Sequence, residues 1–176
     1  MGREEVKQKI RDRIRCSSEK HNVSQEECVL PKSGATRLVA VYYRIGKPKA
    51  ESGLSYDMNR YYFEKYVNEH REWKLVGIYC DEGFETTSLI HMLEECEKGK
   101  IDLIISNTIT RFTDDIEKSI QLIRQLAQLE KPVGVLFEKD NLYSLNKDTE
   151  KVLTQLYCAN AKKAHRNLGI MSSRKD

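Results

Sequence analysis

Two arginines follow apolar segments that have the composition of buried strands. Residues 38–41 form such a segment and Arg44 comes three positions later, while Arg111 follows a second segment at residues 101–105. Open α/β sheets place ligands at the carboxyl ends of their strands, and guanidinium groups bind phosphate oxygens well. The pattern therefore indicates a possible phosphate site. Two unrelated surface arginines in salt bridges are the simpler alternative.

Other residues capable of chemistry give weaker signals. Asp81 and Glu82 are adjacent after a predicted strand, but no histidine lies near them to complete a metal site. Asp114 and Asp115 open a predicted helix, where the helix dipole alone favours acids. The four histidines are scattered, and the glycine-rich phosphate loops of nucleotide-binding proteins are absent. The sequence thus predicts no metal site and no cofactor.

Strand and helix patterns alternate along most of the chain. Apolar runs predict strands at residues 38–41, 73–80, 101–105 and 133–137. Helical spacing predicts helices from residue 54 and at residues 89–98, 116–129 and 149–164. In the first of them Ser55 is the expected N-cap, and the expected apolar face is Met58, Tyr61, Tyr62, Tyr66 and Val67. The alternation predicts an α/β domain of three layers, with a largely parallel central sheet of four to five strands flanked by helices. We divide the chain into a basic N-terminal helical arm and linker (1–36), the α/β domain (37–146), and a C-terminal helix with a basic tail (147–176).

Composition sets modest limits on function. The net charge of +3 and the isoelectric point near 8.5 permit an anionic partner without requiring one. The five cysteines form no C-x-x-C pair, and no signal peptide precedes them, so reduced thiols are expected. No apolar run approaches the roughly 20 residues of a membrane span. We therefore expect a soluble cytoplasmic protein without a membrane partner.

Several short motifs occur in an order that is specific when taken together. They are YYR (42–44), SYDMN (55–59), WKLVGIY (73–79), DEG (81–83), EECEKGKIDLII (94–105), TRF (110–112) and FEKDNL (137–142). From residue 38 to about residue 164 the chain resembles the catalytic domain of serine recombinases, the resolvase/invertase superfamily. Within it, the large serine recombinases of mobile elements are most similar. The resemblance implies a resolvase-like fold and a relation to site-specific DNA recombination.

The resemblance also implies a reaction against which this chain can be compared. In that family a serine two residues after the first-strand arginine attacks a DNA phosphodiester, forms a phosphoserine link and releases a 3′ hydroxyl without a metal. Such a displacement needs one hydroxyl nucleophile and arginines that neutralise the phosphoryl oxygens. Arg44 and Arg111 match two of those arginines. Gly46 stands in the serine position and Asp114 in the position of another arginine.

Two further departures weaken the match to an active enzyme. Asn59 stands where the family has a glutamine, and the loop after residues 81–83 is short and has no arginine. Ser52 and Ser55 are nearby hydroxyls, but they lie beyond the expected strand end. With the nucleophile and two arginines replaced, no catalytic set is intact. The sequence therefore predicts a domain that does not cleave DNA.

Four roles remain open to such a domain. The first is a regulatory or structural partner in a recombinase–DNA complex, as a homodimer or as a heterodimer with an active recombinase. The second is a weak DNA-binding module that uses basic residues, namely Arg44, Arg111, Lys162, Lys163 and Arg166. The third is a residual recombinase with displaced catalytic residues, and the fourth is a decaying fragment that still folds. In the family the C-terminal helix forms the dimer. We expect this helix to be cut short near Gly169 here, with an apolar stripe of Val152, Leu153, Leu156 and Tyr157.

Overall fold

An interior strand, β1 (Arg37–Ile45), organises the fold. In this computed structural model the described parts are residue 30, residues 34–46 and residues 52–172, without the side chains of 52–55 and 163–172. Almost all of the predicted basic arm lies outside the described residues. The division of the chain at residues 36 and 147 therefore stays a prediction.

Strands and helices alternate after β1, as the sequence predicts. They are α1 (Ser52–Asn68), β2 (Trp73–Glu82), α2 (Thr87–Glu97), β3 (Leu103–Ser106), a 3-10 turn (Ile109–Arg111), α3 (Ile116–Ala127), β4 (Gly134–Phe137), β5 (Leu142–Tyr143) and α4 (Thr149–Ser172). The sheet has the strand order β2-β1-β3-β4-β5, and every pair is parallel except β4–β5. The carboxyl ends of the first four strands consequently meet at one edge of the sheet.

Alternate residues of β1 enter two different cores. Ala40 and Tyr42 pack on the side that is covered by α2, α3 and α4. Val39, Val41 and Tyr43 pack on the opposite side, against residues of α1. Successive side chains of a strand point to opposite faces of the sheet. A strand that is apolar at every position must therefore be covered on both faces by other elements. The predicted three-layer α/β fold with a largely parallel sheet is thus confirmed.

Local differences from the sequence prediction have physical causes. The third strand begins at Leu103 rather than at residue 101, and the Asp102 carboxylate just before it accepts the backbone N–H of Leu38 at 2.9 Å. Ser55 lies inside α1, so its interpretation as the N-cap was wrong. Tyr61 was expected on the apolar face of α1, yet 46% of it is exposed. Phe63 occupies the buried position instead.

The last helix, α4, is longer than the predicted residues 149–164 and continues to Ser172. Its apolar stripe is divided. Leu153 is buried, and Leu156 packs partly against the core on the α2, α3 and α4 side. Val152 and Tyr157 are exposed. Among the described residues no helix is both long and apolar enough to cross a membrane.

Candidate functional site

Gly46, which the resemblance aligns with the family's nucleophilic serine, lies at the carboxyl end of β1. Gly46 follows the last residue of this strand and is exposed. A Cβ atom built on Gly46 would meet no other atom within 4 Å, and the φ angle of this glycine is outside the left-handed region. Neither packing nor backbone conformation therefore requires glycine here. The edge of the sheet has space for a hydroxyl but does not carry one at this residue.

Arg44 lies beside this position and binds the chain's own loop. Its Nη1 donates to the backbone oxygen of Gly83 at 3.3 Å, and its Nη2 donates to that of Glu85 at 3.0 Å. Its Nε atom is buried and has no hydrogen-bond partner among the described residues. The register pairs Arg44 with Asp81 of β2, which brings the two strand ends together. The guanidinium thus connects the end of β1 to the loop that follows β2.

Asp81 anchors the start of α2. Its carboxylate is buried and accepts the backbone N–H groups of Ser88 and Leu89 at 2.8 and 3.0 Å. The hydroxyl of Tyr42 donates to the same carboxylate at 3.1 Å, and burial is the main reason that the pKa of Tyr42 rises to about 12. A helix N-terminus has unpaired N–H groups, so a carboxylate there satisfies them and complements the dipole. Asp81 is therefore a structural residue of the edge. Among the described side chains no group of three or more potential metal ligands is present.

Asp114, which the resemblance aligns with a family arginine, lies close enough to Arg44 for their charges to interact. Asp114 is exposed, and Lys118 donates to both of its carboxylate oxygens at 3.2 and 3.1 Å. This hydrogen bonding is the main cause that lowers the pKa of Asp114, and the charge of Arg44 contributes to the lowering. Asp115 caps α3 by accepting the N–H of Glu117 at 3.0 Å. The helix-start explanation of the two aspartates is thus confirmed for Asp115.

Arg111 lies on the 3-10 turn after β3 and is exposed. The Asp140 carboxylate accepts the N–H of Ile109 at 2.7 Å and so fixes the start of this turn. Phe112, which follows the last residue of this turn, is fully buried and makes edge contacts with the rings of Tyr42 and Phe137. These contacts anchor the end of the turn. The backbone N–H of Arg111 donates to the oxygen of Thr108 at 3.2 Å, whereas its side chain makes no hydrogen bond or ion pair within the described part of the chain. Sequence reasoning missed Asp140, because its contact spans 31 positions.

The other predicted site residues lie on helices α1 and α4. Asn59 is half-buried on α1. Lys162 is exposed on α4 and makes no ion pair with the described residues. The side chains of Lys163 and Arg166 lie outside the described residues. The structure therefore places Arg44, Gly46 and Asp114 near one another and leaves the basic residues of α4 as a separate group.

Comparison with known proteins assigns the family. The family model "Resolvase, N terminal domain" matches residues 39–174. The fold is similar to that of the N-terminal catalytic domain of TP901-1 integrase, with a TM-score of 0.57 and 16% identity over 73% of this chain and 98% of that chain. A resolvase family site-specific recombinase from Streptococcus pneumoniae gives a TM-score of 0.57 and 17% identity over 80% and 100%. No curated protein matches the chain. Because the family model covers well over half of the sequence, the chain belongs to the resolvase N-terminal domain family of serine recombinases.

Proposed function

We propose that this serine-recombinase-type domain does not cleave DNA and acts as a regulatory or structural partner in a recombinase–DNA complex. One observation carries the proposal. Gly46, which has no hydroxyl, occupies the exposed position at the end of β1 where the family has its nucleophile. A covalent phosphoserine link cannot form at a residue without an oxygen. The charges of the other residues at this edge support the same proposal.

The charges near Gly46 are poorly arranged for phosphoryl transfer. Two of the five N–H donors of Arg44 are taken by backbone carbonyls, which hold its guanidinium against the loop after β2. Asp114 lies close enough to interact electrostatically with Arg44 and adds a negative charge where a catalytic arginine would stabilise the transition state. An anion repels the phosphate that a cation would attract. Loss of the nucleophile is thus accompanied by loss of electrostatic support.

The exposed part of α4 is the proposed pairing surface. Val152 and Tyr157 are 39% and 44% exposed, whereas Leu153 of the same stripe is buried in the domain's own core. A second copy, or an active recombinase with the same fold, offers a matching helix that would remove this apolar area from water. Pairing is therefore assigned to Val152 and Tyr157 rather than to the whole predicted stripe.

A weak DNA-binding role is the second candidate, and two exposed cations favour it. Arg111 and Lys162 are exposed and make no ion pair with the described residues, so both are available to phosphate. Binding of this kind depends on counterion release and weakens steeply as salt rises. It carries no sequence specificity by itself. The two candidates are compatible, but only pairing accounts for the exposed apolar residues of α4.

A salt series separates the two candidates. Sedimentation velocity of the purified protein at tens of micromolar would report pairing, and a gel shift with duplex DNA would report DNA binding, both at low and high salt. We expect a dimer that persists at high salt and a DNA complex that does not. A monomer at every concentration, combined with tight DNA binding, would reject the partner role in favour of the DNA-binding module.

A further inference from the structure

One motif of the sequence, FEKDNL (137–142), has no part in the proposed pairing and contains an unpaired cation. Lys139 of this motif lies in the turn after β4 and is exposed. Its backbone N–H donates to the backbone oxygen of Asn107 at 3.0 Å. Its ammonium group makes no hydrogen bond or ion pair with any other residue that the structure describes. The backbone of Lys139 is thus fixed at the edge of the sheet, while its charge stays available.

Hydrogen bonds hold the turn after β4 against the turn after β3. The N–H groups of Glu138 and Lys139 donate to the backbone oxygens of residues 106 and 107, at 2.9 and 3.0 Å. The Asp140 carboxylate accepts an N–H group of the 3-10 turn at 2.7 Å. These contacts bring Lys139 next to the turn that carries Arg111, whose side chain is also exposed and unpaired among the described residues. Two available cations therefore occupy neighbouring turns, one after each strand.

The 3-10 turn and the residue before it also present two hydroxyl groups. The side-chain oxygens of Thr108 and Thr110 are 3.4 Å apart in an exposed setting, and only one of the two hydroxyls can donate to the other. At least one hydroxyl proton therefore has no acceptor within the described part of the chain. We call Thr108, Thr110, Arg111 and Lys139 the β3–β4 cluster. All four side chains can donate hydrogen bonds and two of them are cations, so the cluster has the composition of an anion site.

Phosphate meets available donors at this cluster and occupied donors at the end of β1. Arg44 donates to two backbone oxygens there, and the carboxylate of Asp114 lies close enough to interact with it. The turn after β4 also contains acids, but each is held by a donor of the chain itself. Asp140 accepts an N–H group of the 3-10 turn, and Glu138 accepts the hydroxyl of Tyr62 on α1 at 2.7 Å. Neither acid forms an ion pair with the two cations of the cluster.

We infer that the β3–β4 cluster binds a backbone phosphate of DNA, with Lys139 as a contact that the sequence interpretation did not include. Arginine and lysine form charge-assisted hydrogen bonds with phosphate oxygens, and threonine hydroxyls add neutral ones. The inference rests on the DNA-binding candidate and names its site, which lies at the ends of β3 and β4 rather than at Arg44. Inorganic phosphate offers the same chemistry, so it serves as a second probe.

A gel shift with duplex DNA over a series of salt concentrations tests the inference on the full chain. Lys139→Gln and Arg111→Gln each remove one cation of the cluster. Lys74→Gln is the matched control, because this lysine is exposed on β2 and makes no ion pair with the described residues. Isothermal titration with inorganic phosphate is the second measurement. Circular dichroism would establish that each variant is folded.

We expect Lys139→Gln to weaken DNA binding about tenfold at low salt, since one charge-assisted hydrogen bond is lost. The slope of log affinity against log salt concentration should become shallower by about 1, because one phosphate contact is removed. Arg111→Gln should have a similar effect, and Lys74→Gln should bind like the wild type.

The contrary outcomes separate the site from the DNA-binding candidate. Lys139→Gln with the affinity and salt slope of the wild type would overturn the inference and leave the candidate intact. Equal weakening by Lys74→Gln would overturn it as well, because binding would then follow overall charge. Phosphate binding that Lys139→Gln abolishes, with DNA binding unchanged, would overturn it in favour of a small-anion site. No DNA binding by the wild type would reject the candidate itself, and the inference with it.

Discussion

At the scale of single residues, the edge of the sheet is held by groups whose role is structural. Asp81 joins three elements, because its buried carboxylate accepts two N–H groups of α2 and the hydroxyl of Tyr42 on β1. The hydroxyl of Ser88 adds a bond from α2 back to the oxygen of Cys80 at 2.8 Å. This carboxylate thus fastens α2 and Tyr42 to the edge at which the β1–β2 pairing sets Arg44 opposite Asp81.

Replacement of Asp81 should cost stability. In Asp81→Asn one acceptor oxygen becomes a donor that faces the N–H groups of α2, so a buried hydrogen bond is lost and its partner is left unpaired. We expect the free energy of unfolding to fall by about 1–3 kcal/mol, measured by urea denaturation. The exposed Asp57→Asn on α1 is the control and should change it by less than about 0.5 kcal/mol. Equal stability of both variants would contradict the assigned role of Asp81.

Restoring two family residues should improve DNA binding more than DNA cleavage. Gly46→Ser introduces a hydroxyl into open space, and Asp114→Arg exchanges a repulsive charge for an attractive one. We expect the affinity for duplex DNA to increase by on the order of 1–3 kcal/mol through a charge-assisted hydrogen bond, measured by salt-controlled gel shift. Gly34→Ser, which also places a hydroxyl in open space, is the control for the serine. Recombination at the level of an active family member would show that the damage to the site is smaller than we infer.

The sequence could predict which residues reach the edge but not what they bind. Arg44 and Gly46 lie at the end of a strand whose apolar composition can be recognised in the sequence. The hydrogen bonds of Arg44 to Gly83 and Glu85 depend on the orientation of two carbonyls, which no residue pattern reports. The buried role of Asp81 was also missed, because its α2 partners lie seven and eight positions away. The sequence interpretation had weighed it only as half of a weak metal pair.

At the scale of elements, α4 separates packing within the domain from contact with a partner. Leu153 is 2% exposed and Leu156 packs partly on the same core, so the helix is attached to its own domain through these residues. Val152 and Tyr157 lie outside that attachment. A charge at position 156 would disturb both kinds of contact. Position 157 therefore offers the cleaner test.

Tyr157→Glu should weaken self-association without unfolding the domain. Its ring is 44% exposed, so the new carboxylate stays hydrated in the monomer but would be buried in a helix–helix contact. We expect sedimentation velocity to show a shift from dimer to monomer, with an unchanged urea midpoint. Leu153→Ala is the contrasting variant and should lower the free energy of unfolding by about 2–5 kcal/mol. A dimer that is unchanged in Tyr157→Glu would place the interface elsewhere.

The type of each element was predictable where apolar runs were long. Prediction was least accurate for very short strands and for helices whose apolar residues fit more than one face. The four main strands and the helices from α1 to α4 follow from periodicity. Strand β5 was not predicted, because two residues are too few for a pattern and its place depends on antiparallel pairing with β4. On α1 several neighbouring aromatic residues fit more than one helical face. Contact with the sheet selects Phe63 and leaves Tyr61 exposed.

At the scale of the whole molecule, buried phenols make stability depend on alkaline pH. Burial raises the pKa of Tyr42 to about 12, and it raises the pKa values of Tyr43, Tyr62 and Tyr79 as well. In an unfolded chain these phenols titrate near pH 10. The unfolded state therefore loses protons first as the pH rises, and the stabilisation is fully present below about pH 10 and is lost progressively as the pH rises through about 12.

We expect the urea midpoint to fall as the pH is raised above about 10, in parallel with the appearance of tyrosinate absorbance. Tyr42→Phe should make this fall shallower, because one of the contributing phenols is removed. Tyr61→Phe, at an exposed position, is the matched control and should leave the slope as in the wild type. A midpoint that does not vary over this pH range would contradict the assignment of buried neutral phenols.

The fold class was predictable from the ordered motifs, whereas the strand order was not contained in the periodicity. A pattern of alternating strands and helices permits several arrangements of a parallel sheet. The order β2-β1-β3-β4-β5 is set by pairings that bring residues far apart in the chain together, such as Val39 with Leu103. It places the ends of β1 and β2 side by side, and this neighbourhood creates the contact between Arg44 and the backbone oxygen of Gly83.

The central claim, that this domain does not cleave DNA, is tested most directly by a search for covalent protein–DNA adducts. Supercoiled DNA carrying candidate recombination sites would be incubated with the wild-type chain, denatured, and analysed by electrophoresis and by mass spectrometry of the attached peptide. An active serine recombinase with its own site serves as the positive control. We predict no adduct for this chain under conditions in which the control forms one, since position 46 has no hydroxyl. A phosphoserine link to DNA at any serine, including Ser52 or Ser55, would contradict the claim.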